Sequence, residues 1–260
     1  MKLQIVGGGK MGESLLGGLL GGEWCAPEEM AVVEVDADRR LQLAESHPGV
    51  LVTNEVVPGT DAVIAVKPQF VVDMASALGR ASAPRILSIA AGVTIDKIEA
   101  AAPEAAVVRS MPNTPALVGE GASAIAAGRR AEGPDMDWAE SILGSVGLVV
   151  RLEEAALDAV TGVSGSGPAY LFHLAEALTA AGIAHGLPPD VADQLTRQTL
   201  LGAATLLQKS GEDPAVLREN VTSPGGTTAA GLAVFAEADL MGIVERVVTA
   251  AVERSRELGA

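Results

Sequence analysis

The chain opens with Leu3-Gln4-Ile5-Val6-Gly7-Gly8-Gly9-Lys10-Met11-Gly12, a short apolar run that leads into a cluster of glycines. The apolar run has the composition of a buried strand, and residues 11–20 carry apolar side chains at helical spacing. In this context a G-x-G-x-x-G turn binds a dinucleotide: its first glycine permits the tight turn, its second admits the pyrophosphate, and its third lets helix and strand pack closely. We therefore predict a dinucleotide site at Gly7, Gly9, Lys10, Met11 and Gly12.

Further apolar runs predict strands at residues 31–35, 50–52, 61–66, 85–89, 106–109, 122–127 and 148–152. Helical spacing recurs between most of them, at residues 38–46, 70–78, 95–101 and 135–143. Alternating strands and helices predict a parallel sheet with helices on both faces. We assign residues 1–152 to an N-terminal Rossmann domain with this doubly wound α/β fold.

The second predicted strand ends in acids, and arginines follow shortly after. Glu34 and Asp36 stand where a Rossmann unit places the carboxylate that binds the adenosine ribose. Arg39 and Arg40 either contact a 2′-phosphate or form a solvated helix face. The cofactor is therefore NADPH or NADH, and the acids favour NADH.

Ligands of such sheets bind at the carboxyl ends of the strands. We expect cofactor contacts there from Asn54, Val66, Lys67, Pro68, Ala91 and Gly92. For Lys67, a solvated lysine at a strand end is the alternative. Pro112 and Pro115 keep a later loop extended, so that Pro112 and Asn113 form either a wall for the nicotinamide ring or an ordinary proline-braced connection.

From Glu153 onward the strand patterns stop, and Ala, Leu and Val recur at helical spacing. Candidate helices cover residues 153–164, 168–185, 190–209, 214–220, 228–238 and 242–258. Roughly 100 residues of helix with few aromatic side chains would bury their apolar surface poorly alone. We assign residues 153–260 to an all-α domain that binds substrate and forms a homodimer interface.

Glycines and small hydroxyl residues crowd into Asn220-Val221-Thr222-Ser223-Pro224-Gly225-Gly226-Thr227-Thr228, directly before a helical pattern. The free N–H groups of a helix start attract anions, and glycines let a ligand approach the backbone. A capped loop between two helices is the alternative. Because the glycine turn near the N-terminus is a second such cradle, we predict a cofactor phosphate at one and a substrate carboxylate at the other.

The composition narrows the classes of partner. A net charge of −15 argues against nucleic acid and anionic membranes, and no apolar run approaches the ~18 residues of a membrane helix. Cys25 is the one cysteine, which excludes a disulfide within the chain and fits a cytoplasmic protein. No Cys/His cluster has metal-ligand spacing, so we expect no metal. His173 lies on an apolar helix and is expected to be a core histidine.

Several stretches resemble the pyrroline-5-carboxylate reductase family. The most specific is Val221-Thr222-Ser223-Pro224-Gly225-Gly226-Thr227-Thr228-Ala229-Ala230-Gly231-Leu232, which is similar to that family's signature. Supporting stretches are Ala65-Val66-Lys67-Pro68, Ala90-Ala91-Gly92-Val93-Thr94-Ile95, Met111-Pro112-Asn113-Thr114-Pro115 and residues 158–170. The match runs nearly end to end, and the stretches occur in the family's order.

The resemblance implies a Rossmann domain, an α-helical dimerisation domain, and NAD(P)H-dependent reduction of 1-pyrroline-5-carboxylate to L-proline, the last step of proline biosynthesis. It implies that the substrate carboxylate is held by Ser223, Gly226, Thr227 and Thr228. The Thr228 hydroxyl would also reach the ring nitrogen as the catalytic group, and Asn220 would lie near the cofactor. Homodimers, assembled in the family into larger homo-oligomers, are expected. Glu34 departs from the serine or arginine that members often carry, which puts NADPH preference in doubt.

Two other functions stay open. A hydroxyacid dehydrogenase of similar architecture would need an acid/base for the alcohol proton, yet Lys209, the only lysine after Lys97, lies at a predicted solvated helix end. A non-catalytic dinucleotide-sensing dimer is the other alternative. Oxidation of NADH by pyrroline-5-carboxylate, but not by 2-keto acids, separates the three.

Overall fold

A computed structural model describes residues 1–259 of the chain, which form two compact units. The first contains Met1–Ser166 together with the chain from Thr249 onward, and the second is Gly167–Val248. Because compact units are not the same as domains, the domain boundary expected between residues 152 and 153 stays a prediction.

One eight-stranded sheet organises the first unit. Its strands are β1 Leu3–Val6, β2 Met30–Val33, β3 Leu51–Thr53, β4 Asp61–Ile64, β5 Arg85–Ser88, β6 Ala106–Met111, β7 Gly121–Ala127 and β8 Gly147–Arg151. Their order across the sheet is β3-β2-β1-β4-β5-β6-β7-β8. This confirms the doubly wound α/β fold of the first domain.

The pairing of β6 with β7 is antiparallel, whereas every other neighbouring pair is parallel. The sheet is therefore mostly parallel, and the alternation of strands and helices that predicts parallel pairing does not extend to β6 and β7, which have no α-helix between them. The connection from Met111 to Gly121 is too short for the crossover that parallel strands require. It contains only the 3₁₀ turn Thr114–Val118, and Gly119 at φ +78° turns the chain back.

Helices cover both faces of the sheet. They are α1 Lys10–Gly21, α2 Ala37–Ser46, α3 Val71–Arg80, α4 Ile95–Ala101 and α5 Gly133–Leu143. Side chains alternate along β1, so that Leu3 and Ile5 pack in one core with Leu15 of α1, while Val6 packs in a second core with Leu78 of α3. The sheet therefore separates two apolar layers, and the edge formed by the carboxyl ends of its strands is left for ligands.

Three short helical pieces of different pitch follow β8, where a single helix over residues 153–164 was predicted. They are the 3₁₀ turn Glu154–Ala156, α6 Leu157–Val160 and the π-helical turn Thr161–Gly165. The hydroxyls of Thr161 and Ser164 donate to carbonyls four residues earlier, at 2.9 and 3.1 Å. Such bonds compete with the regular helical pattern and bend the backbone.

The second unit is helical throughout. It contains α7 Gly167–Ala184, α8 Pro189–Ser210, α9 Pro214–Asn220, α10 Thr227–Glu237 and the first part of α11 Leu240–Gly259. Within Gly167–Val248 only Ala192 and Thr196 are buried. Phe172, Leu201 and Val234 are 64%, 61% and 63% exposed. The helices of one chain thus leave a large apolar surface uncovered.

The last turns of α11 belong to the first unit and bond to its other elements. The Ser255 hydroxyl donates to Asp158 Oδ1 at 2.6 Å, and Lys97 Nζ donates to the carbonyl of Gly259 at 2.8 Å. Among the residues described, no single helix has the length and apolar composition to cross a membrane. One pair of helices has that length and composition when the two are counted together: Thr227–Glu237 and Leu240–Gly259, which are bent by 54° at the break between them.

Candidate functional site

A cavity of about 730 Å³ opens at the carboxyl ends of β1, β2 and β4. The chain runs outward from β1 to β3 and then returns to place β4 on the other side of β1. The cavity therefore lies at the topological switch point, where folds of this type bind ligands. Of the residues predicted to contact the cofactor, its wall contains Gly7, Gly9, Glu34, Asn54, Val66 and Lys67.

Sequence reasoning missed other residues of the same wall. These are Val6, Val33, Val35, Glu55, Val56, Ala65, Phe70, Met74 and Ala77. Most adjoin predicted positions at strand ends, which is the signal that could have found them. Phe70 and the residues of α3 carry no such signal, because they reach the cavity only through the turn Pro68–Phe70 and the helix after it.

The glycine turn after β1 combines crowding with open space. A Cβ at Gly7, whose φ is +107°, would lie 2.6 Å from the Ala65 carbonyl oxygen, and one at Gly12 would lie 2.0 Å from the Gly7 carbonyl oxygen. A Cβ at Gly9 would meet nothing within 4 Å. Gly9 is also the N-cap of α1, and no side chain of the described residues caps that helix. The free N–H groups at its start are suited to a pyrophosphate, so the turn fits a dinucleotide.

Glu34 closes one side of this turn. The N–H of Gly8 donates to Glu34 Oε2 at 2.9 Å, and the N–H of Asp36 donates to Glu34 Oε1 at 3.0 Å. Asp36 itself caps α2, because its carboxylate accepts the N–H of Arg39 at 2.8 Å. Of the two acids predicted to meet the ribose, Glu34 is the one on the cavity wall.

Both arginines after β2 bind backbone atoms of the turn region. Arg39 Nε donates to the carbonyl of Gly8 at 2.8 Å. Arg40 Nη1 donates to the carbonyls of Glu34 and Val35 at 2.9 and 2.8 Å. The interpretation of these arginines as a solvated helix face is therefore wrong, since Arg39 binds the glycine turn and Arg40 binds the segment around Glu34.

Glu13 of α1 completes this network through an ion pair with Arg39. Burial by itself would raise the pKa of Glu13, but the hydrogen bond and charge of Arg39, with a smaller contribution from His47, lower it below its ordinary value. The Glu13 carboxylate therefore stays ionised at mildly acidic pH and keeps Arg39 against the glycine turn.

The cavity wall does not include the other predicted cofactor residues of the first unit, which are Lys10, Met11, Gly12, Pro68, Ala91, Gly92, Pro112 and Asn113. Asn220 belongs to the second unit, and its place near the cofactor stays a prediction. Gly92 has φ +75°, and a Cβ there would lie 3.2 Å from Leu258 Cβ, so that side of the residue faces the end of α11. Asn113 braces the backbone: its Oδ1 accepts the N–H of Ala122 at 2.8 Å, and its Nδ2 donates to the carbonyl of Ser164 at 3.1 Å.

The predicted substrate residues meet at the start of α10. Gly226 is the N-cap, and no side chain of the described residues caps the helix. The Gly226 N–H donates to the Ser223 carbonyl at 3.0 Å across Pro224 and Gly225, whose φ is +69°. Proline followed by a glycine at positive φ is the signature of a type II turn. The turn exposes the first N–H groups of α10 beside the hydroxyls of Thr227 and Thr228.

The expectation of a core histidine at residue 173 is wrong. The His173 side chain is 85% exposed, and its Nδ1 lies 3.0 Å from Glu176 Oε2. No residue of α7 is buried within this one chain, so the apolar pattern of the helix does not imply burial here. Among residues 1–259, no three His, Cys, Asp or Glu side chains are placed to hold a metal ion.

The fold and the cavity define a class of protein, an oxidoreductase that uses a nicotinamide dinucleotide. A family model described as NADP oxidoreductase coenzyme F420-dependent matches residues 2–92, and one described as pyrroline-5-carboxylate reductase dimerisation matches residues 154–258. A pyrroline-5-carboxylate reductase of Synechocystis sp. is 43% identical over 100% of this chain and 98% of its own length. The chain belongs to the pyrroline-5-carboxylate reductase family.

Other relatives support the same assignment. The pyrroline-5-carboxylate reductase of Arabidopsis thaliana is 40% identical over 99% of this chain and 95% of its own. The structure of the Coxiella burnetii enzyme has a TM-score of 0.93 at 33% identity and covers 100% of this chain and 98% of that one. A Plasmodium falciparum structure, described with NADP bound, has a TM-score of 0.85 at 28% identity over 100% and 98% of the two chains.

Proposed function

We propose that this chain reduces 1-pyrroline-5-carboxylate to L-proline with NADH or NADPH, as the last step of proline biosynthesis. The likeness to enzymes of that name carries the proposal, since a relative 43% identical spans all of this chain. It favours this reaction over the hydroxyacid dehydrogenase and the dinucleotide sensor that the sequence left open.

The residues of the cavity fit a dinucleotide in three respects. Gly7 and Gly9 with the start of α1 would hold the pyrophosphate, Glu34 would accept a ribose hydroxyl, and Lys67 would add a positive charge at the wall. When bound, the reduced nicotinamide supplies a hydride to the carbon of the C=N bond. The other cofactor contacts expected from the sequence stay predictions.

We infer that Ser223, Gly226, Thr227 and Thr228 bind the substrate carboxylate, supported by the uncapped N–H groups at the start of α10. The chemistry needs no strong protein acid, because a protonated ring nitrogen already makes the adjacent carbon electrophilic. The Thr228 hydroxyl would accept a hydrogen bond from that nitrogen and so orient the ring. The same bond would help to keep the proton on the nitrogen, which becomes the secondary amine of proline.

A homodimer, assembled into a larger homo-oligomer, is part of the proposal. The uncovered apolar helices of Gly167–Val248 and the match to a dimerisation family support the dimer. We also propose a cytoplasmic protein without nucleic-acid or membrane partners, supported by the single Cys25 and the net charge of −15.

The test is a steady-state assay of NADH and NADPH oxidation with 1-pyrroline-5-carboxylate, followed by the loss of nicotinamide absorbance and by recovery of proline. Parallel reactions contain 2-keto acids of similar size. Oxidation with the pyrroline alone is expected; equal or faster oxidation with a 2-keto acid would favour the dehydrogenase.

A further inference from the structure

We propose that the cavity selects NADH against NADPH and that Glu34 sets this selectivity. The inference rests on the proposed function, because it concerns the coenzyme of that reaction. NADH is not the coenzyme named in the comparisons. The matching oxidoreductase family and the Plasmodium falciparum structure are both described with NADP.

The first argument is the position of the Glu34 carboxylate. It lines the cavity directly after β2, where the adenosine ribose lies in Rossmann folds. The N–H groups of Gly8 and Asp36 bind separate carboxylate oxygens, at 2.9 and 3.0 Å, and so fix its orientation. Each oxygen has a further lone pair, so the carboxylate can accept ribose hydroxyls without losing either bond.

The second argument is that the two arginines that follow Glu34 in the chain are bound to protein atoms. Arg39 uses its three nitrogens on the Gly8 carbonyl, Gln42 and Glu13. Arg40 shares Nη1 between two carbonyls of the segment that carries Glu34. Neither arginine is on the cavity wall, where Lys67 is the one cation.

The third argument is the charge of the wall. Glu34 and Glu55 place two carboxylates on it against the single Lys67. A ribose hydroxyl donates to a carboxylate, whereas a 2′-phosphate brings about −1.5 to −2 charges and only acceptor oxygens near neutral pH. The same group that binds NADH therefore repels NADPH, and we expect NADH to bind at least about tenfold more tightly.

Equilibrium titration of the intact protein with each reduced coenzyme, followed by nicotinamide fluorescence and without substrate, tests this directly. The variants are Glu34→Ser, Glu34→Gln, Arg40→Gln and, as matched control, Asp38→Asn, which removes one charge from an exposed position on α2. Glu34→Gln removes the charge but keeps one acceptor for the turn, which guards against a loss of local structure in the serine variant.

The wild type is expected to prefer NADH, and both Glu34 variants should lose most of that preference because NADPH binds more tightly. Asp38→Asn should keep it, and Arg40→Gln should not weaken NADPH selectively. Three outcomes would each overturn the inference. The wild type could bind NADPH as tightly as NADH or more tightly, or Asp38→Asn could change the preference as much as the Glu34 variants do. Arg40→Gln could also weaken the binding of NADPH more than that of NADH. Binding of neither coenzyme would overturn both proposals, whereas tight NADH binding without pyrroline reduction would sink only the proposed reaction.

Discussion

At the scale of single residues, the first glycine turn shows why the same amino acid serves opposite needs. Gly7 and Gly12 are glycines because protein atoms occupy the place of a side chain, whereas Gly9 has nothing within 4 Å of a Cβ. The backbone of Gly9, at φ −70° and ψ −176°, suits any residue. Its lack of a side chain therefore serves the ligand rather than the fold.

Gly9→Ala is expected to fold normally and to bind either coenzyme at least about tenfold more weakly, because the added methyl group occupies the space that the pyrophosphate needs near the backbone. Gly17→Ala, at another uncrowded glycine in α1, is the matched control and should raise the unfolding free energy by roughly 0.5–1 kcal/mol without changing affinity. Coenzyme titration and denaturant unfolding measure both. Undiminished affinity in Gly9→Ala would place the pyrophosphate elsewhere.

Thr228→Ala should lower kcat by roughly one to two orders of magnitude while coenzyme affinity changes little, because the lost hydrogen bond is one that strengthens in the transition state. Thr228→Ser retains the hydroxyl and should restore most of the turnover. The comparison requires kcat, KM for the pyrroline and coenzyme Kd for all three proteins. Equal turnover in the alanine and wild-type proteins would remove Thr228 from the mechanism.

Some residue roles were open to sequence reasoning and others were not. The glycine turn and Glu34 follow from short motifs whose members are close in the chain. The bonds of Asn113 to Ala122 and Ser164, and of Arg39 to Gly8, join residues brought together only by the fold. No local pattern indicates such partners, so the sequence left Asn113 and the arginines with alternatives.

At the scale of elements, the sequence predicted where strands lie better than how they run. β1 begins and ends at the predicted residues because a four-residue segment with three apolar side chains, Leu3, Ile5 and Val6, is bounded by a lysine and a glycine. The reversal of β7 depends on the length and course of the preceding connection rather than on the composition of the strand. The π-helical turn Thr161–Gly165 likewise depends on hydroxyl bonds that the apolar spacing does not record.

One carboxylate joins three elements of the first unit. Glu154 Oε1 accepts the N–H of Ile95 at the start of α4, at 2.8 Å, and Nη1 of Arg109 on β6, at 2.7 Å. The Arg109 side chain is only 9% exposed, so removal of Glu154 leaves a buried guanidinium without this partner.

Glu154→Ala should therefore lower the unfolding free energy by about 2 kcal/mol, below the loss for a fully buried pair because Glu154 is partly exposed. Glu104→Ala, which removes an exposed ion pair with Arg130, is the control and should change stability by less than about 1 kcal/mol. Denaturant midpoints at equal protein concentration compare the two. Similar midpoints would show that the Glu154 contacts contribute no more than surface pairs.

At the scale of the whole molecule, the helical unit is incomplete as a single chain. A unit with two buried residues, Ala192 and Thr196, has too little core to account for the order of its long helices. The sequence indicated this through apolar helices with few aromatic residues, although it could not show which faces remain uncovered.

Leu201→Glu is expected to weaken self-association and to lower activity with it, because a charge would enter the apolar surface of α8. Leu41→Glu changes a residue of similar type on α2 that is 70% exposed, and it should leave association unchanged. Light scattering coupled to size-exclusion chromatography measures both. A Leu201→Glu protein that remains as associated as the wild type would exclude this face from the interface.

The return of α11 to the first unit bears on how the polypeptide forms during translation. Asp158 and Lys97 receive their partners Ser255 and Gly259 only after the whole of Gly167–Val248 has left the ribosome. A nascent chain stalled before Thr249 would carry the full sheet, yet the surface around Gly92 would still be open to chaperones. Completion of the first unit therefore waits for the synthesis of the whole of Gly167–Val248, long after its glycine turn has been made.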